Sequence, residues 1–263
     1  MKYLILRRMV QFSILILFSL SACSFILKGN LSSSVLFSTI PLSDPFALLQ
    51  LMLASLQVDL AVLSGALVIF CFYAIFAGRA YCAWVCPVNI ITDFANFIRI
   101  KFKLSPIKTI NVNKNLRYYV LFLVLLFSFI LSFPVFEEFS YIGIIQRGII
   151  FGGISWIFIA LIIFCIDAFL SPRFTCSYFC PLGAFWALVS RFSLLKVRYN
   201  LQKCTKCYKC INVCPEKQVL WMIGKKDQDV TLGECIRCGR CIDVCGDDAL
   251  GFSIINLRRE NEK

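Results

Sequence analysis

The C-terminal part of the chain carries two cysteine runs, Cys204-x2-Cys207-x2-Cys210-x3-Cys214-Pro215 and Cys235-x2-Cys238-x2-Cys241-x3-Cys245. Thiolates at this spacing serve two-cluster [4Fe–4S] proteins, in which three wrap a cubane from one loop and the fourth reaches across to the other. The ligand sets are therefore expected to cross. Cys204, Cys207, Cys210 and Cys245 would hold one cluster, and Cys235, Cys238, Cys241 and Cys214 the other. Gly246 stands where the pattern has proline, a departure that leaves the ligands intact. Structural zinc is the competing use of such thiols, but zinc knuckles space their ligands as separated pairs.

Four further cysteines form a second constellation. Arg79-Ala-Tyr-Cys82-Ala-Trp-Val-Cys86-Pro87 and Arg173-Phe-Thr-Cys176-Ser-Tyr-Phe-Cys180-Pro181 share Arg-x2-Cys-x3-Cys-Pro. Each follows a long apolar stretch and precedes an amphipathic one, Val88–Leu104 and Leu182–Val197, so the chain reads as a duplicated membrane unit ending in a thiol hairpin. Convergence of Cys82, Cys86, Cys176 and Cys180 would suit a third metal site, a dithiol relay or a docking surface. The plainer alternative is that the prolines start helices and the cysteines pack as small hydrophobes.

The elements that must position these thiols are membrane helices. The 263 residues are 59% hydrophobic and 16% charged, with 26 phenylalanines, a membrane composition. Four stretches have the length to cross a bilayer, roughly Met9–Leu27, Leu60–Ala77, Tyr118–Phe136 and Ile149–Leu170. Basic residues precede the first, crowd Arg79–Arg117 and resume after Arg173, which predicts both termini on the cytoplasmic side. Thiols that bind metal must stay reduced, and that agrees. The expected fold is an α-helical integral membrane protein with four transmembrane helices, N-in and C-in, and a C-terminal small α+β bacterial-type 2[4Fe–4S] ferredoxin domain. Its parts are 1–195 in the membrane, 196–256 as the ferredoxin domain with strands near Leu194–Asn200 and Ala249–Ile255, and 257–263 as a charged tail. Phe46–Leu56 is too short to span and reads as an interfacial or re-entrant helix.

Several functions are excluded or demoted. The chain has no histidine, which removes covalent Cys-x2-Cys-His haem sites, bis-histidine haem and histidine-ligated Rieske or zinc centres. The formal charge of +12 sorts by membrane side rather than forming an aromatic-interleaved groove, so no nucleic acid is expected. Gly224-Lys225 lacks an upstream phosphate loop. Candidate proton acceptors are Asp59, Glu137, Glu138 and Asp167, against the plainer readings of solvated helix ends and, for Asp167, a pair with Arg173. Arg79 and Arg173 read as lipid-phosphate anchors, and Tyr81, Trp84, Tyr178 and Trp186 as an interfacial belt. Cys71 and Cys165 read as packing residues, and Cys23 either as one or as a lipidation site.

The paired Cys-x3-Cys-Pro hairpins followed by the two ferredoxin runs resemble the NapH family of membrane ferredoxin-type proteins, and more widely NosR- and CcoG-type polyferredoxins. The resemblance implies an electron-transfer subunit of a quinol dehydrogenase in a bacterial cytoplasmic (inner) membrane. It would take electrons from quinol or menaquinol and pass them, with a NapG-like periplasmic ferredoxin partner, toward a periplasmic nitrate reductase. From another class, a redox assembly or maturation factor for a respiratory metalloenzyme fits the same cysteines. A transporter with a redox-sensing domain ranks last, because the spans lack the broken helices and central charges of a substrate path.

Overall fold

The computed structural model describes residues 2–19, 27–29, 32–36, 40–56, 59–103 and 113–254. Cys23 and the charged tail lie outside them. Helix α1 (Lys2–Ser19) leads to an antiparallel sheet of β1 (Leu27–Gly29), β2 (Ser33–Leu36) and β3 (Ile40–Ser43), a sheet absent from the sequence expectation. Helix α2 (Pro45–Ser55) starts where it does because the Asp44 carboxylate accepts from the Phe46 N–H at 3.3 Å and Pro45 needs no partner for the N–H it lacks.

Helix α3 (Leu60–Phe72) opens on Asp59, whose carboxylate accepts from the Ala61 N–H at 2.9 Å. It continues into a π turn (Tyr73–Ala77), a 3-10 turn (Gly78–Ala80) and α4 (Tyr81–Trp84). The most apolar window of this 25-residue run has a mean hydropathy of 2.5, yet only 11% of it is buried. A helix that apolar in the core of a water-soluble domain would be mostly buried, and this one is not. Among the described residues it is the one helical run that alone has the length and apolarity to cross a bilayer.

Helix α5 (Val88–Lys101) follows Pro87, and α6 (Leu116–Leu131) and α7 (Val135–Phe139) come next. The stretch expected as one span over Ile149–Leu170 is two helices, α8 (Tyr141–Phe151) and α9 (Ser155–Phe169). They are separated at Gly152 and Gly153, with φ of 79° and 132°, conformations that side chains other than glycine rarely adopt. Helix α10 (Pro181–Val189) starts on the second hairpin proline. It is followed by β4 (Leu195–Tyr199), α11 (Lys209–Val213), α12 (Arg240–Asp243) and β5 (Leu250–Ile254). Strands β4 and β5 pair antiparallel from Leu195 opposite Ile254 to Tyr199 opposite Leu250.

The chain divides into two compact units. One gathers Met1–Met9, Phe72–Trp84 and Trp186–Lys263. Its core is small, with Val197, Tyr199, Leu220, Met222, Ile223 and Val230 buried around Cys210 and Cys241. The other comprises Val10–Cys71 and Val85–Phe185. In it α8 lies against α9 with Gly148 under the Trp156 indole, and α5 meets α9 through Phe94 and Phe164, ring centroids 5.7 Å apart.

Candidate iron–sulfur site

The two cysteine runs share one backbone path. Lys206 and Tyr208 have φ of 58° and 57°, and their equivalents Arg237 and Gly239 have 50° and 73°. These left-handed residues bend each loop back on itself, and the Lys206 N–H points at Cys204 Sγ, 3.3 Å away. Helices α11 and α12 then start at equivalent points and carry Cys210 and Cys241.

Cys235, Cys238 and Cys241 of the second run and Cys214 of the first line a single pocket together with the apolar side chains of Val219, Leu220 and Val230. Burial, reinforced by the neighbouring thiols, raises Cys214 and Cys241 far above the ordinary thiol value, and burial raises Cys235 to about 11. Such thiols become thiolates only when a cation replaces the proton. In the other group, Cys210 has Cys204, Cys245 and Cys207 as its electrostatic neighbours. Tyr199, behind Cys204, accepts from the Gly224 N–H at 2.9 Å, and burial and its bond to Cys204 hold its hydroxyl up to about 12.

The donor set fits [4Fe–4S] clusters. All the candidate ligands are sulfur, and among the described residues no three Cys, Asp or Glu side chains gather closely enough for a single ion. Tetrahedral zinc with Zn–S near 2.3 Å would draw its sulfurs to within about 4 Å of each other. Thiols spread around a cavity suit a polynuclear group instead.

Contacts within the same unit tie the second run to the end of the long apolar helical run. Arg237, between Cys235 and Cys238, donates to Ala77 O at 2.9 Å and Ser190 Oγ at 2.7 Å, and also to Ser193 Oγ and Leu195 O. Arg79 pairs with Glu216 at 3.2 Å, both side chains buried, and donates to Glu234 O at 3.0 Å. Trp84 Nε1 donates to Arg237 O at 3.0 Å, and Cys82 packs beside Ala83, Ile236 and Cys238. Gly78, at φ 52°, is required here because a Cβ would strike the Arg237 guanidinium.

Of the hairpin thiols, Cys86, Cys176 and Cys180 share one electrostatic neighbourhood with the Tyr141 hydroxyl. Both hairpin arginines are buried in ion pairs rather than anchored to lipid: Arg79 with Glu216, and Arg173 with Asp93. Asp167 is therefore not the partner of Arg173; it accepts from the Thr175 N–H and hydroxyl at 3.1 and 3.0 Å. Trp186 is fully buried against Tyr73 and Tyr81 rather than in an interfacial belt, and Trp84 bonds to the cluster loop. Cys71 and Cys165 are exposed on their helices rather than packed.

Of the candidate proton acceptors, Asp59 is a helix cap. Glu137 and Glu138 lie in the first turn of α7, with Glu138 exposed. Asp44 was not singled out from the sequence. Its desolvated carboxyl is raised by burial to about 7, against the pull of the Phe46 N–H, with Glu137 adding to the rise. The Asp-Pro start of α2 was the available signal. Glu216, Arg237 and Tyr141 were missed too, because long-range partners leave no local pattern.

A family described as a 4Fe-4S binding domain matches residues 58–105 and 153–200, one copy per hairpin, and a 4Fe-4S dicluster domain matches 196–246. The chain is similar to the ferredoxin-type protein NapH of Haemophilus influenzae, with 38% identity over 87% of this chain and 81% of that protein. It is 36% identical to NapH of Escherichia coli over 83% of this chain and 77% of that one. It is equally similar to the methylamine utilization ferredoxin-type protein MauN of Paracoccus denitrificans, 39% identical over 83% of this chain and 78% of that protein. No solved structure matches. The chain is an iron–sulfur electron-transfer protein and belongs to the family of ferredoxin-type proteins that includes NapH and MauN.

Proposed function

We propose that the protein is the membrane electron-transfer subunit of a quinol dehydrogenase, with its two clusters on Cys204, Cys207, Cys210, Cys245 and on Cys235, Cys238, Cys241, Cys214. The observation that carries the reading is the bonding of Arg237, inside a cluster loop, to Ala77 at the end of an apolar, largely unburied stretch of helix. A cluster loop built onto a membrane helix suits exchange with a membrane-soluble donor. When bound, the clusters supply one-electron oxidation and reduction. The chain's own residues hold them, exclude water with Val219, Leu220 and Val230, and keep the second cluster loop rigid through Arg79 and Arg237.

In this reading four helices cross a bacterial inner membrane, both termini face the cytoplasm, and the electrons are bound for a periplasmic nitrate reductase by way of a NapG-like ferredoxin. Quinol oxidation releases protons, and Asp44 is the acceptor best matched to neutral pH. Cys86, Cys176 and Cys180 form a candidate redox or metal group with Tyr141, and Cys82 serves beside the second cluster loop.

The test is to purify the protein anaerobically, count iron and sulfide, and record EPR spectra before and after adding a menaquinol analogue. About eight irons, with signals that grow on adding quinol, support the reading. Full clusters indifferent to quinol overturn it. They favour a second reading, a redox maturation factor, which equal similarity to NapH and MauN also supports because the resemblance is not confined to one terminal enzyme.

A further inference from the structure

The duplication inside the ferredoxin module has diverged in one respect that bears on partners. Lys206 and Lys209 of the first run correspond to Arg237 and Arg240 of the second, at the same points of the same backbone path. Arg237 is buried and occupied by Ala77, Ser190, Ser193 and Leu195 of its own unit, and Arg240 is half-buried. Lys206 and Lys209 are exposed, as are Cys207 and Tyr208 between them and Lys203 before them. The second run thus spends its basic positions inside the molecule, while the first presents them to whatever approaches.

We propose that this rim is a docking surface for an acidic soluble one-electron carrier. The charge is asymmetric. Tyr208 Oη lies against Gly224, whose chain neighbours Lys225 and Lys226 are exposed, and they add to the exposed Lys203, Lys206 and Lys209 that flank Cys207 along the chain. Opposing them are Asp227, Asp247 and Asp248; Asp247 accepts from the Thr205 N–H at 3.1 Å and hydroxyl at 2.6 Å and also interacts with the Lys209 charge. A ligand thiol at the centre of the patch distinguishes a redox partner from an anionic surface in general. Electron exchange falls steeply with distance, so a docked carrier gains from this exposure and a lipid headgroup does not. Tyr208 supplies the aromatic contact that docking surfaces favour, and redox encounters need only a small interface, below about 1,200 Å². The exchange is one electron per encounter, the carrier's loss matching the module's gain, with no bond made or broken. The inference rests on the clusters alone and is independent of the quinol reading.

The experiment measures binding of an acidic flavodoxin to the full-length holoprotein in nanodiscs of neutral lipid, by surface plasmon resonance at low and high salt. Binding should weaken about tenfold as salt is raised, as expected for electrostatic docking. The Lys206→Glu/Lys209→Glu variant should weaken it by about tenfold at low salt with iron content and EPR spectrum unchanged, and Arg198→Glu, an exposed reversal on β4, should not. Lys203→Glu, which lies outside the left-handed loop positions, gives the same answer should the double variant lose its clusters. Unchanged affinity in the reversed variants overturns the proposal. So does a wild type that ignores flavodoxin but binds phosphatidylglycerol vesicles through the same lysines, which would make the rim a membrane contact.

Discussion

Single residues account for the features least visible in the sequence. Arg79 looks like a surface anchor when read locally, yet it is buried opposite Glu216, two places beyond Cys214. Removing one partner of a buried pair leaves the other charge unpaired, at a cost of about 3–5 kcal/mol. Arg79→Ala should therefore lower the iron content toward that of a single cluster, and Arg79→Met with Glu216→Leu should recover most of the loss. Iron analysis of the purified variants decides this, and a double variant as depleted as the single one would refute the pairing argument. Asp44 makes a prediction in pH. Its carboxyl binds a proton up to about pH 7 in the folded protein but only to near 3.8 when unfolded. Between those values the native state holds more protons, so stability falls as pH rises from about 4 to 7 and then levels. Asparagine caps a helix about as well and has no charge to bury. Thermal unfolding of Asp44→Asn in detergent should show a flatter pH profile than wild type from pH 5 to 8; parallel profiles would clear Asp44 of this role.

Elements were legible where periodicity and capping signals are local. The starts of α2, α5 and α10 follow from Pro45, Pro87 and Pro181, and β4 and β5 lie where short apolar alternation placed them. The break between α8 and α9 was not read, because a hydropathy window passes over Gly152-Gly153 without registering their backbone freedom. The sheet of β1, β2 and β3 also escaped, its strands being three or four residues long. The α8–α9 hairpin depends on Gly148, where a Cβ would run into the Trp156 indole. Gly148→Ala should cost about 1–3 kcal/mol by overpacking. Gly143→Ala, whose nearest neighbour is the flexible tip of Arg147 at 3.3 Å, should be tolerated, and Trp156→Ala should suppress the defect at 148. The melting temperatures of the three variants test the hairpin directly.

At the scale of the whole molecule, two units of different chemistry share one chain. The helical run Leu60–Trp84, which begins in one unit and ends in the other, has 11% of its apolar window buried, and the unit carrying the cysteine runs has a small core interleaved with thiols. So small a core needs its clusters to stay folded. Oxidative removal of iron with ferricyanide and a chelator should make the region around β4 and β5 sensitive to protease while the helical circular dichroism signal persists. Resistance of that region after complete iron loss would show that its apolar core suffices. The sequence by itself determined the chemistry: all-thiol donors in repeated spacing, no histidine and an apolar chain admit iron–sulfur electron transfer and little else, because ligand type and hydropathy are properties of residues in order. Only the tertiary structure decided which charges meet. The pairs Arg79 with Glu216, Arg173 with Asp93 and Arg237 with the Ala77 carbonyl join distant residues by folding in three dimensions. Contacts between residues far apart in the chain leave no periodicity to read, and burial, which turns a surface charge into an obligatory partner, exists only once the chain has packed.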